Sequence, residues 1–550
     1  MGLLSRIGVL ALLVATSGCS GPSRAPVTAL APSKSNPIDA LTKARLDESR
    51  APPHELCRRL AIDILGRGPT REELAACREA KSIDTIVDAW MARPEHDLVE
   101  RRAWMELTDL RVSASWYPYV ADADALFGAA AKGTMGYDEL AKRLVIHPAF
   151  EARHPGDDWT RAIFGIFLGR TARADEVRAA RPLVTVWSSR FIEDPKLGRD
   201  SGETVTEVAF DFCACAQTSQ GCVSKVFGAT IDLGTNACKR ELGAGPKDEE
   251  LVRVVDASGE KAPLGHASKE EEARLRGIGD ALVARPDFWE AAVDRELRRY
   301  LGWWQSGFKK PESDLPEVRK ALAEELAATK SLRAVRRTIL TSGLYALPAR
   351  GEAHGPRWKS GPRKLLTGER WLDSFGVAVG EDLGSCDHRF ETDEAGVEMG
   401  EGEEMGGSAR LMFVDPALIH RRRAKLVDPR TGKPFDYAEA GRQLGGCRVT
   451  TPIAASSLGL AAAQREIAAT LCAVAPAIVP GPGGLEDDAG RLVERFLSRP
   501  ASHPEAARLA GEMRECLAAH VSSQAGCGDR ASAVRWLCTR IATSSEFGTY

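Results

Sequence analysis

Ile64-Leu65-Gly66-Arg67-Gly68-Pro69-Thr70-Arg71-Glu72-Glu73-Leu74 reads as one helix stopping and another starting. Gly66 suits the left-handed position that ends a helix, because it has no Cβ to clash there. Thr70 and Glu73 have capping-box spacing, in which the two side chains satisfy free N–H groups at the start of the next helix. The turn recurs as Phe167-Leu168-Gly169-Arg170, with Glu176 at the matching offset. It recurs again as Phe496-Leu497-Ser498-Arg499, with Ser502 and Glu505 in step. Arg173 occupies the cap position of the second copy, so that copy must be capped differently. Arg67, Arg170 and Arg499 read as architectural residues of these turns.

A second pattern follows the first at both ends of the chain. It is an apolar helix end, then Pro, Gly or Ser, then an aromatic two residues later. The copies are Leu144…Pro148-Ala149-Phe150, Leu282…Pro286-Asp287-Phe288, Ile339…Gly343-Leu344-Tyr345 and Ile541…Ser545-Glu546-Phe547, with Trp90…Pro94-Glu95-His96 as a looser one. Each reads as a helix terminus whose aromatic tucks back onto the core. Residues 281–301, 315–347 and 531–541 carry apolar residues at three and four spacing, as amphipathic helices do. Pro316 suits a first helical turn, where a missing N–H costs nothing. Strand signals are sparse, at residues 205–213 and 409–414. Pro480-Gly481-Pro482-Gly483-Gly484 breaks the chain before the last helices. Repetition of this kind predicts a mainly α fold. The expected body is multi-helix and orthogonal or bundle-like, with loop-rich, disulfide-stapled insertions and a few short strands.

The N-terminus carries an address. Met1 to Arg6 holds one positive charge, residues 7–15 are apolar or small, and Thr16-Ser17-Gly18-Cys19 follows. That is the order of a secretory signal, and its apolar run is far shorter than the roughly 20 residues a spanning helix needs. Thr16-Ser17-Gly18-Cys19 resembles a lipobox, which implies cleavage before Cys19 and acylation of its thiol. An ordinary signal peptide cut nearby is the alternative. Ser20 after the cysteine favours the outer membrane by the same resemblance. The chain is therefore read as signal peptide 1–18, Ser- and Pro-rich tether 19–45, helical domain 46–200, Cys-rich segment 201–265, helical domain 266–350, acidic loop-rich segment 351–450 and C-terminal helical domain 451–550. With 74 basic and 77 acidic residues, a net charge of −3 gives no field that favours nucleic acid.

Of 13 cysteines, Cys19 is set aside for lipid, which leaves an even 13 − 1 = 12 in a chain bound for an oxidising compartment. All twelve are disulfide candidates. Cys57 and Cys77 flank the opening turn and make a plausible pair. Cys213, Cys215, Cys222 and Cys238 cluster in one segment, Cys386 and Cys447 bracket another, and Cys472, Cys516, Cys527 and Cys538 lie in the C-terminal helices. Spacing leaves their connectivity open. The rival reading of Cys213 to Cys238 is a metal site, against which the spacing lacks the paired C-x₂-C of a usual zinc centre. No C-x-x-C-H occurs, so covalent c-type haem is excluded.

Leu56-Cys57-Arg58-Arg59-Leu60-Ala61-Ile62-Asp63-Ile64-Leu65-Gly66-Arg67-Gly68-Pro69-Thr70 resembles the opening of the planctomycete-type DUF1549 domain. That opening is characterised by an RR-x-x-x-DL-x-G-x-x-PT-x-x-E run. Residues 94–111, with Trp104, continue the match. Arg295-Glu296-Leu297-Arg298-Arg299-Tyr300-Leu301-Gly302-Trp303-Trp304 is similar to the start of the companion DUF1553 domain, and residues 315–347 and 363–375 keep its order of elements. The likeness covers roughly half the chain. It implies a helical, exported protein of a family without an assigned biochemical role, often joined to haem c or carbohydrate-binding modules. The family's central segment carries a Cys-His signature, whereas residues 213–222 contain no His, and no cofactor is expected.

Catalytic signals are weak. His147, His154, Asp157 and Asp158 are types that bind metal or move protons, but Asp157-Asp158 before Trp159 reads as a helix cap. Cys386-Asp387-His388 has catalytic types, with Cys386 better placed in a disulfide. Residues 381–404 hold ten carboxylates among several glycines, without the regular loop of a calcium-binding EF-hand. The expected function is a membrane-anchored, non-catalytic scaffold or binding component of a cell-surface assembly, with an envelope protein or glycan as partner. The alternative is an envelope hydrolase or metal-dependent enzyme using the Cys-rich or acidic segment.

Overall fold

The computed structural model describes residues 36–42, 50–110, 117–147, 150, 154, 157–180, 188–189, 208–209, 223–227, 229–232, 269–302, 316–349, 363–381, 427–429, 432, 440, 444, 458–523 and 527–550. Among these, 18 helices carry the fold and the strands are short. The first thirteen helices are α1 Pro37–Thr42, α2 Pro53–Leu65, α3 Arg71–Glu79, α4 Ile83–Met91, α5 Pro94–Thr108, α6 Tyr117–Lys132, α7 Tyr137–Leu144, α8 Asp157–Phe167, α9 Ala174–Ala180, α10 Lys269–Val283, α11 Pro286–Leu301, α12 Pro316–Thr329 and α13 Leu332–Leu340. Residues from Ile38 to Leu347 share one hydrophobic core, so segments 46–200 and 266–350 pack together. A second core gathers α14 Gly368–Val379, α15 Leu458–Val474, α16 Leu485–Leu497, α17 Pro504–Ser523 and α18 Arg530–Ala542. Strands β1 Ser188–Ser189 and β2 Val208–Ala209 pair antiparallel, as do β3 Val223–Val226 and β4 Ala229–Asp232. Residues 409–414 lie outside the described set. Among the described residues no helix is long and apolar enough to cross a membrane.

The opening turn has the geometry its residues dictate. Gly66 is left-handed, with φ 75°, and its N–H returns to the Ile62 carbonyl at 3.1 Å. Thr70 Oγ1 accepts from the Glu73 N–H, and Glu73 accepts from the Thr70 N–H at 2.7 Å, closing a capping box. Arg67 then grips Glu73 with two bonds of 2.8 Å. The second copy keeps the grip without the threonine. Gly169 is left-handed, Arg170 binds Glu176 at 2.8 and 2.7 Å, and Glu176 itself accepts the Arg173 N–H. In the third copy Ser498 takes the left-handed place, with φ 58°. Here the Ser502–Glu505 capping box is corrected. Pro504, with its preset φ, starts α17 one residue later than that box requires, and His503 Nδ1 accepts the Glu505 N–H. Arg499 turns instead to Glu546 at 2.9 Å.

Gly66→Ala is expected to cost about 1–2 kcal/mol, because a left-handed alanine is strained. The new Cβ would also lie 2.8 Å from Val99 Cγ2. Urea unfolding of the purified chain checks this, and an unchanged midpoint would remove the strain account.

The two sequence patterns turn out to be partners. Phe150, Phe288, Tyr345 and Phe547 are all buried. Phe167, from the first pattern, lies 6.1 Å from Phe288, from the second. Phe496 meets Phe547 at 5.5 Å in the second core. His96 Nδ1 donates to the Ile64 carbonyl in the same relation. Each such aromatic contributes about 1.5–3 kcal/mol through burial, so the repeats are packing modules. Disulfides staple them. Cys57–Cys77 links α2 to α3, Cys472–Cys538 links α15 to α18, and Cys516–Cys527 ties α17 to the residues before α18.

Candidate functional site

Helix α2 is buried on nearly every face, yet it carries Arg58, Arg59 and Asp63. A buried charge is costly unless it is paired and hydrogen-bonded; Asp63 is paired with cations, and the two arginines are hydrogen-bonded to backbone carbonyls. Arg58 donates to the carbonyls of Phe496 and Phe547, both at 2.8 Å, reaching into the second core. Arg59 donates to the carbonyls of Tyr345 and Leu347 in the first core and lies over the Tyr345 ring. Neighbouring arginines thus hold the two copies of the aromatic turn, one from each core. The Gly68 N–H adds a 2.9 Å bond to Ser374 Oγ of α14.

Asp63 collects donors from both cores. The Tyr345 hydroxyl donates at 2.8 Å, the Tyr550 hydroxyl donates at 3.0 Å, Lys364 Nζ donates, and Arg370 stands 3.8 Å away. Tyr550 and Lys364 are brought there by a backbone pair, each N–H bonding the other's carbonyl at 2.9 Å. Burial pushes the Asp63 carboxyl up, but Lys364 and Arg370 outweigh it and hold it below the usual carboxylate range. Burial lowers Lys364 to about 7 against the pull of Asp63. Both tyrosines are pushed up by burial and stay protonated donors.

A second charged knot lies beside it. Glu100 is fully buried and binds Arg299 at 2.8 Å and Arg336 at 2.5 Å. Burial raises its pKa, yet the two guanidinium groups bring it down to about 2. Arg336 also grips Glu296 with bonds of 2.9 and 3.0 Å. His96 packs nearby, and burial lowers it to about 4. Its Nδ1 must carry the proton, since the Ile64 carbonyl can only accept.

Between the knots opens a cavity of about 380 Å³ at the seam of the two cores. Five arginines (Arg102, Arg295, Arg299, Arg336 and Arg370) and three glutamates line it, beside Val99, Trp104 and Leu107. Its size suits a small ligand. Arg102 pairs with Asp373 at 3.4 Å. Arg295 lies over the Trp104 ring at 5.2 Å, donates to the Ile166 carbonyl at 2.8 Å and reaches the Tyr137 hydroxyl. Among the described residues it alone of the five has no carboxylate partner.

The structure brings few of the sequence's candidate residues to this cavity. Cys57, Cys77, Cys472, Cys516, Cys527 and Cys538 are paired away from its lining. Cys19, Cys213, Cys215, Cys222, Cys238, Cys386 and Cys447 lie outside the described residues, as do Asp387, His388 and the acidic stretch beyond Glu381. His147 is buried at a helix end, and His154 Nε2 bonds the Thr108 carbonyl at 2.8 Å. Asp157 and Asp158 sit in the first turn of α8 beside Arg161, at 3.9 and 2.6 Å. In the sequence, Arg295, Glu296 and Arg299 stand out only as part of the family-like run, and Glu100 and Arg336 carry no motif of their own. One signal was present: Asp63 interrupts the apolar spacing of Leu56, Leu60 and Ile64.

The fold and site define a helical, disulfide-stapled protein with a charged cavity between two cores. Comparison of the chain with family models, with curated proteins and with solved structures finds no match.

Proposed function

We propose that this chain is an exported envelope lipoprotein, held on a membrane through acyl groups on Cys19, whose helical body serves as a non-catalytic scaffold or binding component of a cell-surface assembly. The observation that carries the reading is the state of its cysteines. All six among the described residues are paired, as suits an oxidising compartment. The signal-like order of residues 1–19 and the Ser- and Pro-rich residues 20–35 support export and a flexible tether. That tether is shorter than the 19–45 expected, because α1 packs Ile38 into the first core and buries Thr42. More than one acyl chain is needed for stable anchoring, which the lipobox likeness supplies. The likeness to the planctomycete-type helical domains belongs to the same proposal. The buried Asp63 knot, which joins the cores, suits a body that presents surfaces without changing shape.

Cys19→Ser is expected to block processing and move the protein from the membrane fraction to the soluble fraction, read by fractionation and by incorporation of labelled palmitate. Unchanged retention and labelling would overturn the anchor. For the scaffold role, cross-linking on intact cells should capture the same envelope partner repeatedly, and Cys19→Ser should lose it. A chain that stays uncross-linked in the envelope would set that role aside.

A further inference from the structure

We infer that the seam cavity is a binding site for a small organic anion, whose oxyanion is held by Arg295 with Arg299 and Arg370 beside it. This goes beyond the scaffold proposal, which needs no ligand. Three observations converge on it.

The first is charge. Glu100 serves both Arg299 and Arg336, and Asp63 serves both Lys364 and Arg370. With Glu296 on Arg336, these three carboxylates face four paired cations plus Arg295, which has none. Arg295 is thus the cavity-lining arginine whose charge meets no carboxylate among the described residues, since Arg102 has Asp373. The lining also includes Glu296, Glu369 and Glu106, of which Glu106 is exposed.

The second is donor geometry. A guanidinium has five N–H donors in a fixed fork that matches carboxylate, sulfate or phosphate. Arg295 uses two of them, on the Ile166 carbonyl and the Tyr137 hydroxyl, which leaves 5 − 2 = 3. Packing over Trp104 and Tyr137 fixes the fork before any ligand arrives, so little side-chain freedom is lost on binding.

The third is shape. The cavity's about 380 Å³ accommodates a body of monosaccharide size. Val99, Trp104 and Leu107 give it an apolar wall beside the arginines, which selects an anion with a carbon skeleton over a bare ion.

The test is isothermal titration calorimetry on the full chain in detergent. The probes are glucuronate, inorganic sulfate, inorganic phosphate and, as the uncharged counterpart, glucose. Glucuronate should bind, more weakly as salt is raised, and at least tenfold more tightly than glucose. Sulfate or phosphate binding without glucuronate would overturn the organic ligand, as would equal binding of glucose. Arg295→Lys keeps the charge but loses the fork, and should weaken glucuronate at least tenfold. Glu106→Gln removes a negative charge from the exposed edge and should tighten it about threefold. Unchanged affinity in a folded Arg295→Lys protein would overturn the site. Should Arg295→Lys fail to fold, Glu106→Gln decides, and no tightening there overturns it. None of these readouts depends on Cys19, so failure here and failure of the membrane anchor are told apart.

Discussion

Asp63→Asn is expected to destabilise the protein by about 3–5 kcal/mol, the usual cost of removing one partner from a buried ion pair. Asp63 is fully buried and accepts from Tyr345, Tyr550 and Lys364, with Arg370 close by. Asparagine has nearly the same shape, so the loss is electrostatic and leaves no cavity. It would leave the Lys364 ammonium and the Arg370 guanidinium without their shared carboxylate. The effect should depend on pH. Lys364 is already lowered to about 7 in the folded protein from 10.5. Between those values the unfolded chain binds a proton that the folded chain does not, so this group makes stability rise with pH across the window. Without Asp63 the folded pKa drops further and the window opens lower. The cost of Asp63→Asn should therefore be larger at pH 6 than at pH 9. A second substitution, Lys364→Met, removes the stranded ammonium and should recover part of the loss. Urea unfolding of the single and double variants reads all of this. A loss under about 1 kcal/mol, or one independent of pH, would sink the account.

Local chemistry made much of the fold legible. Gly66, Thr70 and Glu73 state a helix stop and start within ten residues, and the structure folds them that way. The prolines at positions 53, 94 and 286 open helices because their missing N–H is a group that no helix would use there. The third copy strayed for a reason of the same kind. Pro504 outranked Ser502 in setting where α17 begins, and Ser498 accepted the left-handed place that glycine fills elsewhere. The charged cavity was far less legible, because its members are distant in sequence. Asp63 meets Tyr345, Lys364 and Tyr550, and Glu100 meets Arg299 and Arg336. No spacing rule links positions hundreds of residues apart. Only their residue type on an apolar stripe marks them, and Arg299 reads as one basic residue among several in Arg295-Glu296-Leu297-Arg298-Arg299. The consecutive Arg58 and Arg59 show the same limit. Their order is plain in the sequence, but that one holds each core follows only from where Phe547 and Tyr345 end up.

Glu100→Gln is the companion prediction, and its signature is acid sensitivity. The carboxylate is buried between Arg299 and Arg336, so its removal at neutral pH should cost about 3–5 kcal/mol. In the wild type, Glu100 is lowered to about 2 from 4.5. A carboxyl whose folded pKa is depressed stabilises fully above its unfolded value, and that contribution is lost as pH falls through the folded one. The pair therefore weakens as pH falls from 4.5 towards 2. His96 acts earlier and in the same direction. It is lowered to about 4 from 6.5 by burial, so below 6.5 the unfolded chain takes up a proton that the folded chain refuses. By pH 4 that amounts to roughly 3 kcal/mol. The wild type should thus lose stability in two stages, one from His96 below 6.5 and one from Glu100 below 4.5. In Glu100→Gln the second stage should flatten. The first should remain and extend lower, because Glu100 is the group that favours protonated His96. Urea midpoints measured from pH 7 down to pH 3 separate the stages. A variant whose urea midpoint at pH 7 equals that of the wild type would mean that Arg299 and Arg336 do not depend on Glu100, and the knot would lose its role in joining α5, α11 and α13.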